Sequence, residues 1–345
     1  MHLATVAVAL SGGVDSSTTA LLMKEAGHRV FTLTMATNDR VAAEAARVSA
    51  FLGLPHHVLD ISGLFEQRVI GPFCAAYLEG RTPNPCIACN RDLKYGTLFR
   101  QAVEWGADYF ATGHYARVRF EPEPGRYVLL RARDPRKDQS YVLFYLDQER
   151  LARLLLPLGD LTKETVREKA RAAGIPFTAA ESQEICFVAG DDYRTFIRRR
   201  CGQAVAEGPF VDRQGNVLGR HRGIPFYTIG QRRGLGLALG RPVFVLGFNR
   251  ERNAVIVGPE EELWHTAFLA VDVHYILPQP AGGTLIEAQI RYRAKAAPAR
   301  LYPQPPDAAR VVFEKPQRAI TPGQAAVFYQ GERVVGGGII SCAVR

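Results

Sequence analysis

The stretch VALSGGVDSS, residues 8–17, decides the fold. It follows the short apolar run TVAVAL (5–10) and opens SSTTALLMKEAG (16–27), a helical pattern that Gly27 closes. Strand, glycine turn and helix in that order make a cradle for an anion. Gly12 and Gly13 let backbone N–H groups approach a phosphate, and the helix N-terminus adds positive dipole. Ser11, Ser16 and Ser17 add hydroxyl donors, while Asp15, a poor direct neighbour of phosphate, suits a Mg2+ ion held between phosphates. The string lacks the Gly-Lys-Ser/Thr of a Walker A loop and the spacing of a dinucleotide fold. A nucleotide-binding loop of another kind is expected.

Working outward, strand-like and helix-like segments alternate: RVFTLTM (29–35), DRVAAEAARVSAFLG (39–53), HHVLDI (56–61), YGTLFRQAVEWG (95–106) and DYFATGH (108–114). Such alternation predicts an α/β domain with a parallel sheet covered by helices on both faces. Asp39 is the expected cap of the second helix and Gly53 its stop. A further helix is expected over TKETVREKARAAG (162–174), capped by Thr162, and a short one over DDYRTFIRRR (191–200). EPEPGR, from residue 121, reads as a surface loop. Beyond about residue 205 helical periodicity disappears. Short β-like runs take over, PVFVLGF (242–248), NAVIVG (253–258), TLIEAQIRYRA (284–294) and ARVVFE (309–314). QAAVFYQGERVVGGGII (324–340) reads as a hairpin around Gln330-Gly331-Glu332. The expected organisation is an α/β domain over 1–204, a small β-rich domain over 205–262 and a C-terminal β-barrel over 263–345.

At 345 residues, 47% hydrophobic and 22% charged, the chain has the composition of a soluble globular protein of two or three domains. MHLATVAVALSGG has no basic leading segment and reads as a buried strand, and no apolar run reaches spanning length, so no membrane is expected. Lys and Arg total 43 against 34 Asp and Glu, a surplus that attracts polyanions and fits a nucleic-acid partner.

Six cysteines in a chain of this size are no secreted disulfide framework, which makes the cytoplasm the expected compartment. Cys86 and Cys89 stand three apart in NPCIACN (84–90), and Cys186 stands in ESQEICFV (181–188). A Cys-x-x-Cys pair usually means zinc or redox chemistry, but no second ligand pair for a tetrahedral zinc site is apparent. A thioredoxin-like site belongs to a much smaller fold. Sulfur handling is the remaining reading.

The Ser-Gly-Gly-x-Asp-Ser-Ser string resembles the PP-loop of ATP pyrophosphatases, which cleave ATP between its α and β phosphates. Together with GRTPNPCIACN, ATGHY, KDQSY, ICF, YTIGQRRGLG, RYR, TPGQAAVFY and GGGII, it makes the chain resemble the bacterial tRNA-specific 2-thiouridylase family over nearly its whole length. The resemblance implies a PP-loop fold of the adenine nucleotide alpha hydrolase type, ATP with Mg2+, and tRNA as substrate. ATP adenylates the C2 oxygen of the wobble uridine, and sulfur from a persulfide on Cys186, with Cys89 as partner, displaces AMP. A sulfur donor or persulfide carrier protein is a further implied partner, and a monomer is expected. Ala9, Leu10, Ser11, Gly12, Gly13, Val14, Asp15 and Ser16 form the implied ATP cradle, bordered by Met35 and Gly113 at strand ends.

On the same footing Asn84, Pro85 and Cys86 lie beside the target base, which must be turned out of its stack. His114, the Lys137-Asp138-Gln139 loop and Gln324 are implied tRNA contacts, as are Arg291 and Tyr292 in a strand that alternates basic residues with an aromatic. Two features depart from the family pattern. Asn-Pro-Asp-x-x-Cys carries Asp where this chain has Cys86, and a longer acidic insertion is replaced by the short ATNDR (36–40). With Cys86 present, Cys86, Cys89 and Cys186 are expected to offer three thiolates to a 4Fe-4S cluster with one iron left open.

Overall fold

A computed structural model of the protein describes residues 3–123, 125–177, 185–188 and 192–344. The chain divides into two compact units, one formed by 1–69, 86–183 and 331–335, the other by 70–85, 184–330 and 336–345.

The first unit is built on a parallel sheet of β1 (Thr5–Ala9), β2 (Arg29–Ala36), β3 (His56–Asp60), β4 (Tyr109–Ala111) and β7 (Leu154–Leu155), in the order β3-β2-β1-β4-β7. Val6, Ala7 and Val8 of β1 are fully buried, because a central parallel strand is covered on both faces and has no polar side to show. From β1 the chain steps outward through β2 to β3 and then returns to the other side of β1 at β4. The reversal opens a crevice at the carboxyl ends of β1 and β4, where open α/β sheets take their ligands.

The helix Val14–Glu25 runs from that crevice against the sheet, although Ser16, Ser17, Thr18 and Thr19 are all buried. Their hydroxyls turn back on the helix itself: Ser17 Oγ donates to Gly13 O at 2.8 Å, Thr18 Oγ1 to Val14 O at 2.8 Å and Thr19 Oγ1 to Asp15 O at 2.9 Å. Polar residues thereby line a buried helix without orphaned hydroxyls. The second helix, Asp39–Leu52, is capped by Asn38, not by the expected Asp39: the Asn38 side chain accepts from Val41 N at 3.1 Å. Thr162 caps Lys163–Ala172 as expected, accepting from Thr165 N at 3.2 Å. A hairpin of β5 (Arg117–Glu121) and β6 (Arg126–Leu130) completes this unit, with Pro122, Glu123 and Gly125 of EPEPGR in its turn and Arg333 paired to Leu130.

The second unit holds two β structures. β8 (Gly208–Val211), β9 (Val217–His221), β10 (Phe244–Asn249) and β11 (Ala254–Gly258) form a sheet in the order β10-β11-β8-β9. Its core joins Phe210, Val245 and Val255 to Phe73, Tyr77 and Phe196 from helices Gly71–Leu78 and Tyr193–Cys201. β12 (Trp264–Tyr275), β13 (Thr284–Gln289), β14 (Ala297–Gln304), β15 (Ala308–Arg318), β16 (Ala325–Gln330) and β17 (Arg333–Val344) follow. They pair in the order β12-β15-β14-β13-β16-β17, and β12 pairs again with β17, closing the antiparallel barrel that the sequence predicts.

One strand is shorter than expected. TLIEAQIRYRA leaves the sheet after Gln289, whose amide donates to Arg291 O at 3.1 Å and Tyr292 O at 2.9 Å and folds Arg291–Ala294 into a turn. The alternating basic stripe is therefore a turn, not one face of a strand. Among the described residues no helix is long and apolar enough to cross a membrane.

Candidate active site

Gly12 sits at φ +78°, and a Cβ there would lie 2.9 Å from the backbone carbon of Glu44, so both its conformation and its neighbour require glycine. Ser11 is tied across the loop, its N–H and its Oγ each 3.1 Å from Ser16 Oγ. Leu10 fixes the loop's entry, donating to Leu33 O at 2.8 Å and accepting from Thr34 Oγ1 at 2.7 Å. Gly13 is the N-cap and has no side chain to satisfy the first turn of the helix Val14–Glu25, whose N–H groups suit an anion.

Asp15 does not wait for a metal. Lys163 Nζ donates to its two oxygens at 2.6 and 2.8 Å, and Tyr115 Oη donates to Oδ1 at 2.7 Å. A Mg2+ ion on Asp15 would have to share the carboxylate with that ammonium. Sequence reasoning missed Lys163 because its partner lies 148 residues away. One signal was present: a lysine at the first position of a helix opposes the dipole and needs a compensating acid.

Gly113 follows β4 and faces the same loop. A Cβ there would lie 2.9 Å from Asp15 C and Ser16 N, so it buttresses the first turn of the phosphate helix. Met35, half-buried, pairs with Leu59 near the end of β2. His114 is turned inward: only 7% exposed, its Nδ1 lies 2.9 Å from Tyr95 Oη and from Thr112 Oγ1, and its Nε2 lies 3.5 Å from Lys94 Nζ. Burial, then the Lys94 charge, hold its pKa well below the usual imidazole value, so the ring is neutral at pH 7.

The cysteine loop enters as the helix Pro85–Ala88 and widens into a π-helix over Cys89–Leu98, so that Phe99 N–H bonds to Lys94 O. Cys86 reaches solvent and Cys89 is half-buried. Burial pushes both thiols up, aided at Cys86 by Cys89 and at Cys89 by Asp92, while the ammonium of Lys94 pulls both down. Asn90, next in line, is buried with its amide 3.4 Å from Val142 O.

Cys186 lies exposed in the second unit between the half-buried Ile185 and Phe187, which pack against that unit's core. Among the described residues no group of three or more His, Cys, Asp or Glu is placed to hold a metal ion. Cys86 and Cys89 belong to the first unit and Cys186 to the second.

Several implied tRNA contacts are engaged within the protein. Asp138 accepts from Ala132 N at 2.9 Å, Ser140 N at 3.1 Å and Ser140 Oγ at 2.9 Å. Gln139 brackets Tyr115, its Oε1 accepting from Tyr115 N at 2.9 Å and its N–H donating to Tyr115 O at 2.8 Å, which steadies the hydroxyl on Asp15. Lys137, half-buried, donates its backbone N–H to Asp134 O at 3.1 Å in the same turn. The guanidinium of Arg291 donates to the carbonyls of Arg318 and Ala319, leaving Tyr292 as the more open member of the pair at 39% exposure. Gln324 donates to Thr82 O at 2.7 Å, two residues ahead of Asn84 and three ahead of Pro85.

Comparison with known proteins agrees with the three-part architecture. Residues 4–190 match the tRNA methyl transferase HUP domain, 194–259 the tRNA methyl transferase PRC-barrel domain and 265–340 the aminomethyltransferase beta-barrel domain. The chain is 52% identical to the tRNA-specific 2-thiouridylase MnmA of Moorella thermoacetica, over 98% of this chain and 99% of that protein. It is 47% identical to the protein of the same name from Pelotomaculum thermopropionicum, over 99% and 98% of the two chains. The one from Carboxydothermus hydrogenoformans is 48% identical over 97% of each. The phosphate loop, the cysteine loop and the closed barrel therefore stand in a chain that belongs to the tRNA-specific 2-thiouridylase family.

Proposed function

We propose that this protein thiolates the wobble uridine of tRNA at C2, consuming ATP and releasing AMP and pyrophosphate. The observation that carries the reading is similarity to 2-thiouridylases over essentially the whole chain, the phosphate and cysteine loops included. On this reading 1–204 is the catalytic domain, 205–262 a central β-rich domain and 263–345 a barrel that meets tRNA. ATP is bound along Ala9–Ser16, with Met35 and Gly113 near the adenosine. The protein works as a cytoplasmic monomer with a sulfur donor or persulfide carrier as partner.

The chemistry needs activation first, because a carbonyl oxygen is a poor leaving group. The uridine C2 oxygen attacks the α-phosphorus, the bond to pyrophosphate breaks, and the negative charge that develops faces the N–H groups that open the helix Val14–Glu25. The terminal sulfur of a Cys186 persulfide then attacks C2 and AMP leaves with the oxygen. The Cys89 thiolate next attacks the Cys186 sulfur, which frees the thiolated base and leaves a disulfide for an external thiol to reduce. Lys94 favours the thiolate form at Cys86 and Cys89 against the cost of burial. Lys137, Asp138, Gln139, Arg291, Tyr292 and His114 stay candidates for tRNA recognition; those engaged inside the protein act by shaping the surface RNA meets.

The test is ATP turnover with unmodified tRNA and a persulfide donor. AMP formation in step with thiolated nucleoside, and dependent on tRNA, is expected. Turnover without tRNA would identify an amidating ligase for a small molecule instead, and binding of RNA without turnover a carrier. Iron and sulfide analysis of anaerobically purified protein decides whether a cluster takes the place of the persulfide.

A further inference from the structure

Gln324 was expected on the RNA surface, yet its amide is spent on the protein. The loop Thr321–Gln324 between β15 and β16 meets the segment that leads into the cysteine loop, within the second unit. Thr82 N donates to Pro322 O at 3.0 Å and Thr82 O accepts from Gln324 Nε2 at 2.7 Å, so both backbone polar groups of Thr82 are taken by that one loop. Gly323 lies between them at φ +90°, and a Cβ there would come within 2.9 Å of Thr82 N. The loop is itself pinned to the barrel: Gly323 N donates to Ile340 O at 2.9 Å and Ile340 N donates to Gln324 O at 2.8 Å. After Thr82 the chain reads Pro83-Asn84-Pro85 and enters the helix that carries Cys86. Two prolines leave this lead-in few alternative conformations, so fixing Thr82 goes far to fix where the cysteine helix starts.

We propose that Gln324 is a positioning residue for the cysteine loop, which it holds through Thr82, and that the barrel thereby anchors the loop that carries Cys86 and Cys89. The proposal rests on the thiouridylase reading for its kinetic consequence but not for the clamp itself. Gln324→Met keeps the side-chain volume and removes the donor; Gln324→Glu keeps the shape and sets a carboxylate against the Thr82 carbonyl.

Two readouts separate the clamp from an RNA contact. In single- and multiple-turnover thiolation, both variants should lower kcat by about 10- to 100-fold while the tRNA dissociation constant of the Met variant stays within about twofold of wild type. With no tRNA present, Cys86 and Cys89 should be alkylated faster in both folded variants than in wild type, because the lead-in is released. An unchanged kcat with weakened tRNA binding, or unchanged alkylation, overturns the proposal. A wild-type protein that fails to thiolate tRNA would sink the functional reading alone, since the alkylation comparison needs no substrate.

Discussion

Replacing Asp15 by Asn should do two separable things, and the ion pair with Lys163 sets their size. Lys163 Nζ lies 2.6 and 2.8 Å from the two carboxylate oxygens, so an Asn side chain would put an NH2 group against an ammonium at one of them. The Lys163 side chain is only 4% exposed and cannot turn to water, whereas Asp15 is 34% exposed. Removing one partner of a fully buried pair costs about 3–5 kcal/mol; partial exposure of Asp15 lowers the expectation to about 2–4 kcal/mol. Removing both charges with Asp15→Asn/Lys163→Met should cost less than the sum of the two single changes, by about 1.5–3 kcal/mol. Urea titration of the four proteins of the cycle, followed by tryptophan fluorescence, measures this directly. In parallel, Asp15→Asn should lose AMP formation and keep tRNA binding. Additive single-variant costs would refute the pair as an energetic unit. A fully active, undestabilised Asp15→Asn protein would refute the role given to the loop as well.

Gly113→Ala should depress ATP turnover and cost about 1–3 kcal/mol, because the new methyl meets unyielding backbone at Asp15–Ser16; unchanged ATP affinity would contradict the buttress. Cys186→Ser should abolish thiolation while AMP transfer to the tRNA persists, and a full thiolation rate would remove Cys186 from the chemistry. Arg291→Ala should loosen the barrel by about 1.5–3 kcal/mol through its lost bonds to the Arg318 and Ala319 carbonyls and lower the salt slope of tRNA binding by about one; an unchanged slope would assign the residue to the barrel alone. The pH dependence has a definite sign. His56, His114 and His221 all have pKa values lowered by burial, so the unfolded chain binds more protons near its ordinary value of 6.5. Their contribution is complete above that value and is lost as pH falls, by up to about 1.4 kcal/mol per pH unit for each group. Urea midpoints between pH 7 and pH 5 should fall less steeply in His114→Gln than in wild type, and parallel curves would contradict the buried neutral ring.

What the sequence made legible was local. The glycines and serines of VALSGGVDSS dictate strand, loop and helix within ten residues, and Thr162 announces its helix by occupying the cap itself. The cysteine loop, too, was visible as a motif. The unreadable parts depend on partners distant in the chain. Lys163 finds Asp15 across 148 residues, and Gln324 finds Thr82 across 242. Within ATGHY nothing tells a buried histidine from an RNA-facing one, because the partner that joins Thr112 on the His114 ring is Tyr95, 19 residues away. IRYRAK kept the period of a strand, but the Gln289 amide, competing for the Arg291 and Tyr292 carbonyls, ended it. The π-helical stretch Cys89–Leu98 includes the weak helix formers Asn90, Asp92, Gly96 and Thr97, but nothing in their spacing announces the wider hydrogen-bonding pattern.

The most direct test of the central claim follows one labelled sulfur atom. Protein loaded with radiolabelled persulfide and mixed with unmodified tRNA should hold its label until ATP is added, then deliver it to the wobble uridine as 2-thiouridine with release of one equivalent of AMP. Transfer without ATP, or ATP cleavage that leaves the label on the protein, would contradict the account.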